Sequence, residues 1–177
     1  TGQMHGVVLT DESGGAVSPI YTWLDARLDR VDDRGVSFRE RMENEVGMAV
    51  SNGFGFGTLF YLTKMGHVPA SARRIATAPD YIAQRLTCSS HTMEVGCTSS
   101  GLAHSLGLYD VDQRAFSDVI GSFLGRLTPP KICPSGSVIG TTREGIPVFL
   151  PEGDNQASFA GSVREPDRAI STNIGTS

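Results

Sequence analysis

Near the end of the chain, a short apolar run broken by two prolines, Ile146-Pro-Val-Phe-Leu-Pro151, leads through Glu-Gly into Asp154-Asn-Gln-Ala-Ser-Phe-Ala-Gly-Ser162. Proline cannot donate to a sheet ladder, so the first half suits a strand that reaches the rim of a sheet. The small and apolar residues behind Asp154 read as a helix that starts there. An aspartate at a strand-to-helix junction has two uses: it caps the helix by accepting a backbone N–H bond, or it faces a cleft. The next strand-like run, Ala169-Ile-Ser-Thr-Asn-Ile-Gly-Thr-Ser177, ends on a turn that can present N–H groups and hydroxyls to a phosphate. A carboxylate followed closely by such a turn is the skeleton of a phosphoryl-transfer site.

The rest of the composition narrows the field. A length of 177 residues suffices for one domain with a real core. With 39% hydrophobic and 19% charged residues, the chain reads as an ordinary soluble protein. A net charge of −4 supplies no broad basic surface, so neither nucleic acid nor an anionic membrane is expected as a partner. No apolar stretch approaches the length of a membrane span. Cys88, Cys97 and Cys133 are odd in number and lack a Cys-x-x-Cys spacing, which favours reduced thiols and a cytoplasmic location over a disulfide framework. The 21 glycines fit a fold rich in sharp βα turns. Thr1-Gly-Gln-Met and Gly-Thr-Ser177 are abrupt ends, and the chain is read as a piece of a longer protein.

Along the chain, Val7 to Thr10 and Val17 to Trp23 read as strands, the second bent at Pro19. A charged helix is expected from Ser37 to Val50, with Ser37 as cap and Glu40 as its box partner. Ser51 to Gly57 reads as loop, Thr58 to Met65 as a buried helix, Ala70 to Ala78 as a connection, and Pro79 to Thr87 as a helix opened by proline. Cys88 to Gly101 reads as loop and short strand, and Leu106 to Val111 as a strand. A helix opened by Asp112 or Ser117 should run to Leu124, followed by extended chain to Ser137. Val138 to Thr142 and Val148 to Leu150 read as strands flanking the Glu144-Gly145 turn. Strands mixed with helices imply a layered α/β domain.

Five segments, in order, resemble the FGGY carbohydrate kinases, whose domains have the ribonuclease-H-like, actin-like ATPase fold. Gly2-Gln3-Met4-His5-Gly6 resembles the family's sugar-contact loop. Trp23-Leu-Asp25-Ala-Arg27 resembles its Trp-x-Asp-x-Arg segment, and Asp80-Tyr81 through Thr87 the helix before a sugar-side loop. Gly153-Asp154-Asn155-Gln156-Ala157 resembles the catalytic-base signature, and Asn173-Ile-Gly-Thr-Ser177 the phosphate-binding turn of the second domain. Asn52 to Phe60 and Gly153 to Ser162 look most like sedoheptulokinases, while Gln-Met-His-Gly is shared with xylulokinases. Where many relatives carry Asp or Asn before an Ala-Ser pair, this chain has Ser99-Ser-Gly-Leu-Ala-His-Ser105 without a carboxylate.

The resemblance implies an α/β fold with a mixed sheet and flanking helices. It also implies a partial N-terminal sugar-binding domain over 1–162, and the start of an ATP-binding domain over 163–177. The implied reaction is ATP-dependent phosphorylation of a ketose of sedoheptulose or xylulose type, with Mg²⁺, by an enzyme that would act as a homodimer. Asp154 would be the general base, since a sugar hydroxyl attacks phosphorus well only when its proton is accepted. Gln3, Met4, His5, Trp23, Asp25, Arg27 and Asn155 would bind the sugar; Gly175, Thr176 and Ser177 would hold nucleotide phosphate. Each has a plainer reading beside this one: a structural histidine, a core or rim tryptophan, a solvated Asp25–Arg27 pair. Met4, Trp23 and Asp154 are expected to line one concavity. No metal site is expected: Cys88, His91, Cys97 and His104 match no zinc spacing. Gly53-Phe-Gly-Phe-Gly57 lacks the Lys-Ser/Thr of a phosphate cradle. The rival reading is a non-catalytic α/β module that binds a sugar or a protein.

Overall fold

The computed structural model describes residues 1–87, 96–168 and 170. Strand β1 (Val7–Thr10) is buried at all four positions, as an apolar run with polar neighbours predicts for a central strand. It pairs antiparallel with β2 (Arg74–Thr77), Val7 opposite Thr77 and Thr10 opposite Arg74. Sequence reasoning made 70–78 a mere connection. The arginine pair hid the run Ile75-Ala76-Thr77, which is buried in the sheet. Along its other edge, β1 meets the 16–21 segment through isolated bridges, Thr10 to Ala16 and Val7 to Tyr21, rather than the expected continuous strand. The ladder breaks where Pro19 has no N–H to give, and where the Ser18 hydroxyl replaces a carbonyl as acceptor for Leu9 N at 2.9 Å.

Helix α1 (Phe38–Val46) starts as predicted, with Ser37 Oγ accepting from Glu40 N at 3.1 Å. It stops short of Val50 because Gly47 takes φ 73, a left-handed cap. Helix α2 (Gly55–Lys64) starts three residues earlier than its glycine content suggested. Glycine is needed there for closeness. A Cβ on Gly55 would lie 2.6 Å from Leu106 Cδ2, and one on Gly57 2.7 Å from Leu28 Cδ1. Phe56, Leu59 and Phe60 are thereby sunk completely into the core with Phe38, Met42 and Leu9, each worth roughly 1.5–3 kcal/mol of burial.

Helix α3 (Ala78–Leu86) follows β2 directly, capped by Thr77 and carrying Pro79 in its first turn. After β3 (Cys97–Thr98) comes α4 (Ser100–Leu106), which begins inside the expected 88–101 loop and ends at the start of the expected 106–111 strand. Ser99 Oγ accepts from Leu102 N at 3.4 Å and starts the turn, and Leu102, Ala103 and Leu106 bury one face. The strand expected over 106–111 shrinks to β4 (Tyr109–Asp110), which forms a hairpin with β5 (Ala115–Phe116). Ser117 does precede helical chain: a 3₁₀ turn over Asp118–Ile120, then α5 (Gly121–Leu124), whose Phe123 packs edge-on against Phe60 at 5.5 Å. The extended 127–137 connection contains β6 (Lys131–Ile132), parallel to β3, and Thr128 bridges to Arg74 beside β2. β7 (Val138–Thr141) and β8 (Pro147–Phe149) form the expected hairpin, and α6 (Asp154–Ser162) begins at Asp154. In place of one continuous mixed sheet, the described strands pair as four two-stranded ladders, three antiparallel and one parallel, with isolated bridges extending β1 and β2.

Candidate functional site

The N-terminal segment crosses the start of α6. Gly2 N donates to Glu152 O at 3.2 Å, and Asp154 N donates to Gly2 O at 3.0 Å, so Gly2 and Gly153 form a parallel bridge. The crossing demands glycine at Gly153, because a Cβ there would lie 2.7 Å from Met4 Cγ and Sδ. Met4 is buried beneath it, and Gln3 is exposed beside it. Residues 150 positions apart in sequence are thus locked together by backbone.

The N-cap of α6 is Gly153, not Asp154, and no side chain caps this helix. The exposed Asp154 carboxylate accepts from Asn155 N at 2.9 Å. Asn155 is likewise exposed. The carboxylate sits at the positive end of the helix dipole and faces water.

His5 adopts φ 66, unusual for a residue with a side chain, and this turns its ring inward. Nδ1 lies 3.1 Å from Ser105 O, and the ring meets Phe54 edge-on at 4.6 Å. Phe54 follows Gly53, whose N donates to Asp25 O at 3.1 Å and where any Cβ would collide with the Trp23 carbonyl. A relay of contacts therefore runs from Trp23–Asp25 through Gly53–Phe54 and His5 to Met4 and the Asp154 turn. Trp23 itself is 46% exposed, so it is no core residue. Asp25 and Arg27 bond each other, Asp25 also accepts from Arg27 N at 3.0 Å, and the guanidinium stacks 4.8 Å from the Tyr21 ring. With the Asp25 side chain only 8% exposed, this is not the solvated pair of the plain reading. A cavity of about 670 Å³ abuts the site at Gly101 and extends past His104, Tyr109 and Arg114 to Cys133.

A xylulose kinase from Streptomyces rubiginosus is 29% identical over 99% of this chain, which spans 38% of that protein's length. No protein-family profile matches the chain. Ligand-bound xylulose kinase from Lactobacillus acidophilus superposes with a TM-score of 0.66 at 20% identity, over 90% of this chain and 34% of that one. Plasmodium falciparum glycerol kinase with ADP superposes at 0.65 and 17% identity, over 91% and 34%. The matches point to the FGGY carbohydrate kinase family. The fold is the actin-like ATPase fold of those kinases. The chain spans little more than a third of the length of the relatives and structures it matches.

Several features of this candidate site have no signal in the sequence. Phe54 belongs to the 52–60 segment of the family likeness, with no site role expected of it, yet it walls His5. Ser105 was noted only as part of an atypical segment, yet its carbonyl meets the His5 ring. That segment has no carboxylate of its own, but Glu152 Oε2 lies 3.2 Å from where a Cβ on Gly101 would stand. Glu152 lies one residue before the Gly153–Ala157 base motif, and no local signal singles it out. Gly175, Thr176 and Ser177 lie outside the described residues, as do Cys88 and His91. Among the described residues no group of three or more His, Cys, Asp or Glu could hold a metal ion.

Proposed function

We propose that this chain is the sugar-binding part of an ATP-dependent ketose kinase, with Asp154 as general base. The observation that supports the reading is the backbone crossing of Gly2 and Gly153, which packs Met4 against the turn that carries the exposed Asp154 carboxylate. A ketose lying along Met4 would offer its terminal hydroxyl to Asp154. That oxygen gains nucleophilicity as its proton passes to the carboxylate, and it would attack the γ-phosphorus in line, opposite the bond to the departing ADP. His5 and Asn155 would bond further hydroxyls, and Gln3 would close the rim. Trp23 would cover the sugar, and Asp25 would hold Arg27 at its mouth. Xylulose is the first candidate, since the curated relatives are xylulose kinases. A sedoheptulose-type ketose is the second, on the likeness of residues 52–60 and 153–162.

The proposal includes Mg²⁺ as counter-charge to the phosphates, a boundary near residue 162 between the sugar-binding domain and the ATP-binding one, a cytoplasmic location, and a homodimer. Gly175, Thr176 and Ser177 are assigned to nucleotide phosphate on the sequence resemblance alone, and no step is derived through them. In the whole enzyme, Asp154→Asn should lower turnover by at least about a hundredfold with far less change in sugar KM, as loss of a base requires. Near-normal turnover would sink the assignment of Asp154 as base. A panel of xylulose and sedoheptulose with the same enzyme decides the sugar.

A further inference from the structure

Under the crossing of Gly2 and the Glu152–Asp154 turn lies a group of buried oxygens for which phosphoryl transfer has no use. Asp80, in the first turn of α3, is 1% exposed. Its Oδ2 accepts from the Thr77 hydroxyl at 2.6 Å, and its backbone N donates to Thr77 Oγ1 at 3.2 Å. Its Oδ1 is buried with no hydrogen-bond partner among the described residues, and so are Glu152 Oε1 and Thr98 Oγ1. Burial, with the charge of Glu152 added to it, pushes Asp80 up to about 6 against the opposing pull of the Thr77 and Thr98 hydroxyls. Thr98 exerts that pull across a gap outside hydrogen-bond geometry. The groups that face Asp80 are thus Thr77 from β2, Thr98 from β3 and Glu152 from the turn after β8. β1, β7 and β8 also pack on α3 and carry no ionisable side chain. Thr1 lines the groove outside Pro79 and Glu152.

Two carboxylates that both only accept cannot satisfy each other, and two like charges in a water-poor site repel. One proton removes both costs, because it turns an acceptor into a donor. The backbone carries the consequence to the site. Glu152 O and Asp154 N are the two ends of the bond pair to Gly2. Gly2 rests on α3, so closely that a Cβ would lie 2.9 Å from Pro79 Cγ, next to Asp80.

We propose that Asp80 is a positioning residue for Asp154: its protonated carboxyl donates to Glu152, directly or through one water, and so latches the turn that carries the candidate base. Ionisation of Asp80 sets two buried negative charges against each other and loosens the Gly2 crossing. The functional consequence rests on the reading of Asp154 as base; the latch itself does not.

The test uses the isotopically labelled 177-residue chain, following the Asp80 carboxyl carbon and the exchange of the Asp154 amide from about pH 4 to 8. Asp80 should titrate near pH 6. Protection of the Asp154 amide, corrected for intrinsic exchange, should fall at least about fivefold as that pH is crossed. Asp80→Asn, which donates at every pH, should keep the protection at both ends of the range. Glu152→Gln, which removes the opposing charge, should move the Asp80 midpoint down. An Asp80 midpoint near pH 4, or an Asp80→Asn chain that follows the wild-type pH dependence, overturns the latch. Should Asp80→Asn fail to fold, an Asp80 midpoint unmoved by Glu152→Gln overturns it equally. Since no readout needs catalysis, a whole enzyme that stays active as Asp154→Asn would remove the base and leave the latch standing.

Discussion

The half of the molecule built from β1, α1 and α2 and the half that carries Asp154 are held by different means. In the first, Phe56, Leu59 and Phe60 are wholly buried and interlock with Phe123, Met42 and Leu28. In the second, no residue of α6 is buried, and among the described residues the neighbouring apolar cluster is Cys97, Cys133 and Leu150 with Ile139. Apolar area holds one half; a backbone crossing, two glycines and a buried carboxyl hold the other. The division suits a protein that must keep a scaffold rigid while a polar turn meets water and ligand.

The largest effect should come from the packed half. Phe60→Ala removes a fully buried ring and should cost about 3–5 kcal/mol in denaturant unfolding. Phe159→Ala on α6, where the ring is 42% exposed, should cost less than about 0.5 kcal/mol. Equal losses would break the comparison.

Next in size is a pH effect confined to the site half. Asp80 has a raised pKa in the folded chain, about 6 against 3.8. A raised carboxyl binds protons more readily folded than unfolded, so its contribution is fully present below about pH 4 and lost as pH rises through about 6. The loss amounts to about 3 kcal/mol at most. Asp11, Asp29 and Asp32 shift the other way, lowered chiefly by hydrogen bonds. Their stabilisation is lost as pH falls below the ordinary carboxylate range, so the two windows do not overlap. Wild-type stability minus that of Asp80→Asn, measured by urea unfolding at pH 4.5, 6 and 7.5, should therefore decline with pH. A flat difference would mean that Asp80 titrates normally.

The two halves were also unequally legible in the sequence. Local chemistry announced Ser37 with Glu40, Pro79, the Glu144-Gly145 turn and the helix start at Asp154, because a cap, a ring or a turn acts within four residues. What misled were residues whose role is set by partners far away. Gly55 and Gly57 read as loop, yet they let α2 approach Leu106 and Leu28. Ile75 to Thr77 read as connection beside two arginines, yet they pair with β1. The candidate site's members are proposed from an ordered likeness to a family. Its supports were missed, since no spacing pairs Glu152 with Asp80 across 71 intervening positions.

The smallest effect distinguishes a cap from a base. Ser37 and Asp154 both stand at helix starts, and sequence alone allows both to be caps. In the structure only Ser37 behaves as one: its hydroxyl accepts from Glu40 N, whereas α6 is capped by Gly153 and Asp154 reaches only the adjacent Asn155 N. Ser37→Ala should therefore cost about 1 kcal/mol, the usual worth of an N-cap bond. Asp154→Asn should change stability by less than about 0.5 kcal/mol, since an exposed first-turn carboxylate gives up only part of its attraction to the helix dipole. Chemical denaturation of the two variants side by side is the measurement. If Asp154→Asn costs as much as Ser37→Ala, the carboxylate holds the helix in solution and is not free to accept a proton. If it costs almost nothing, the chain retains an acid at the edge of its sheet that the fold does not need, and chemistry is left as the reason for it.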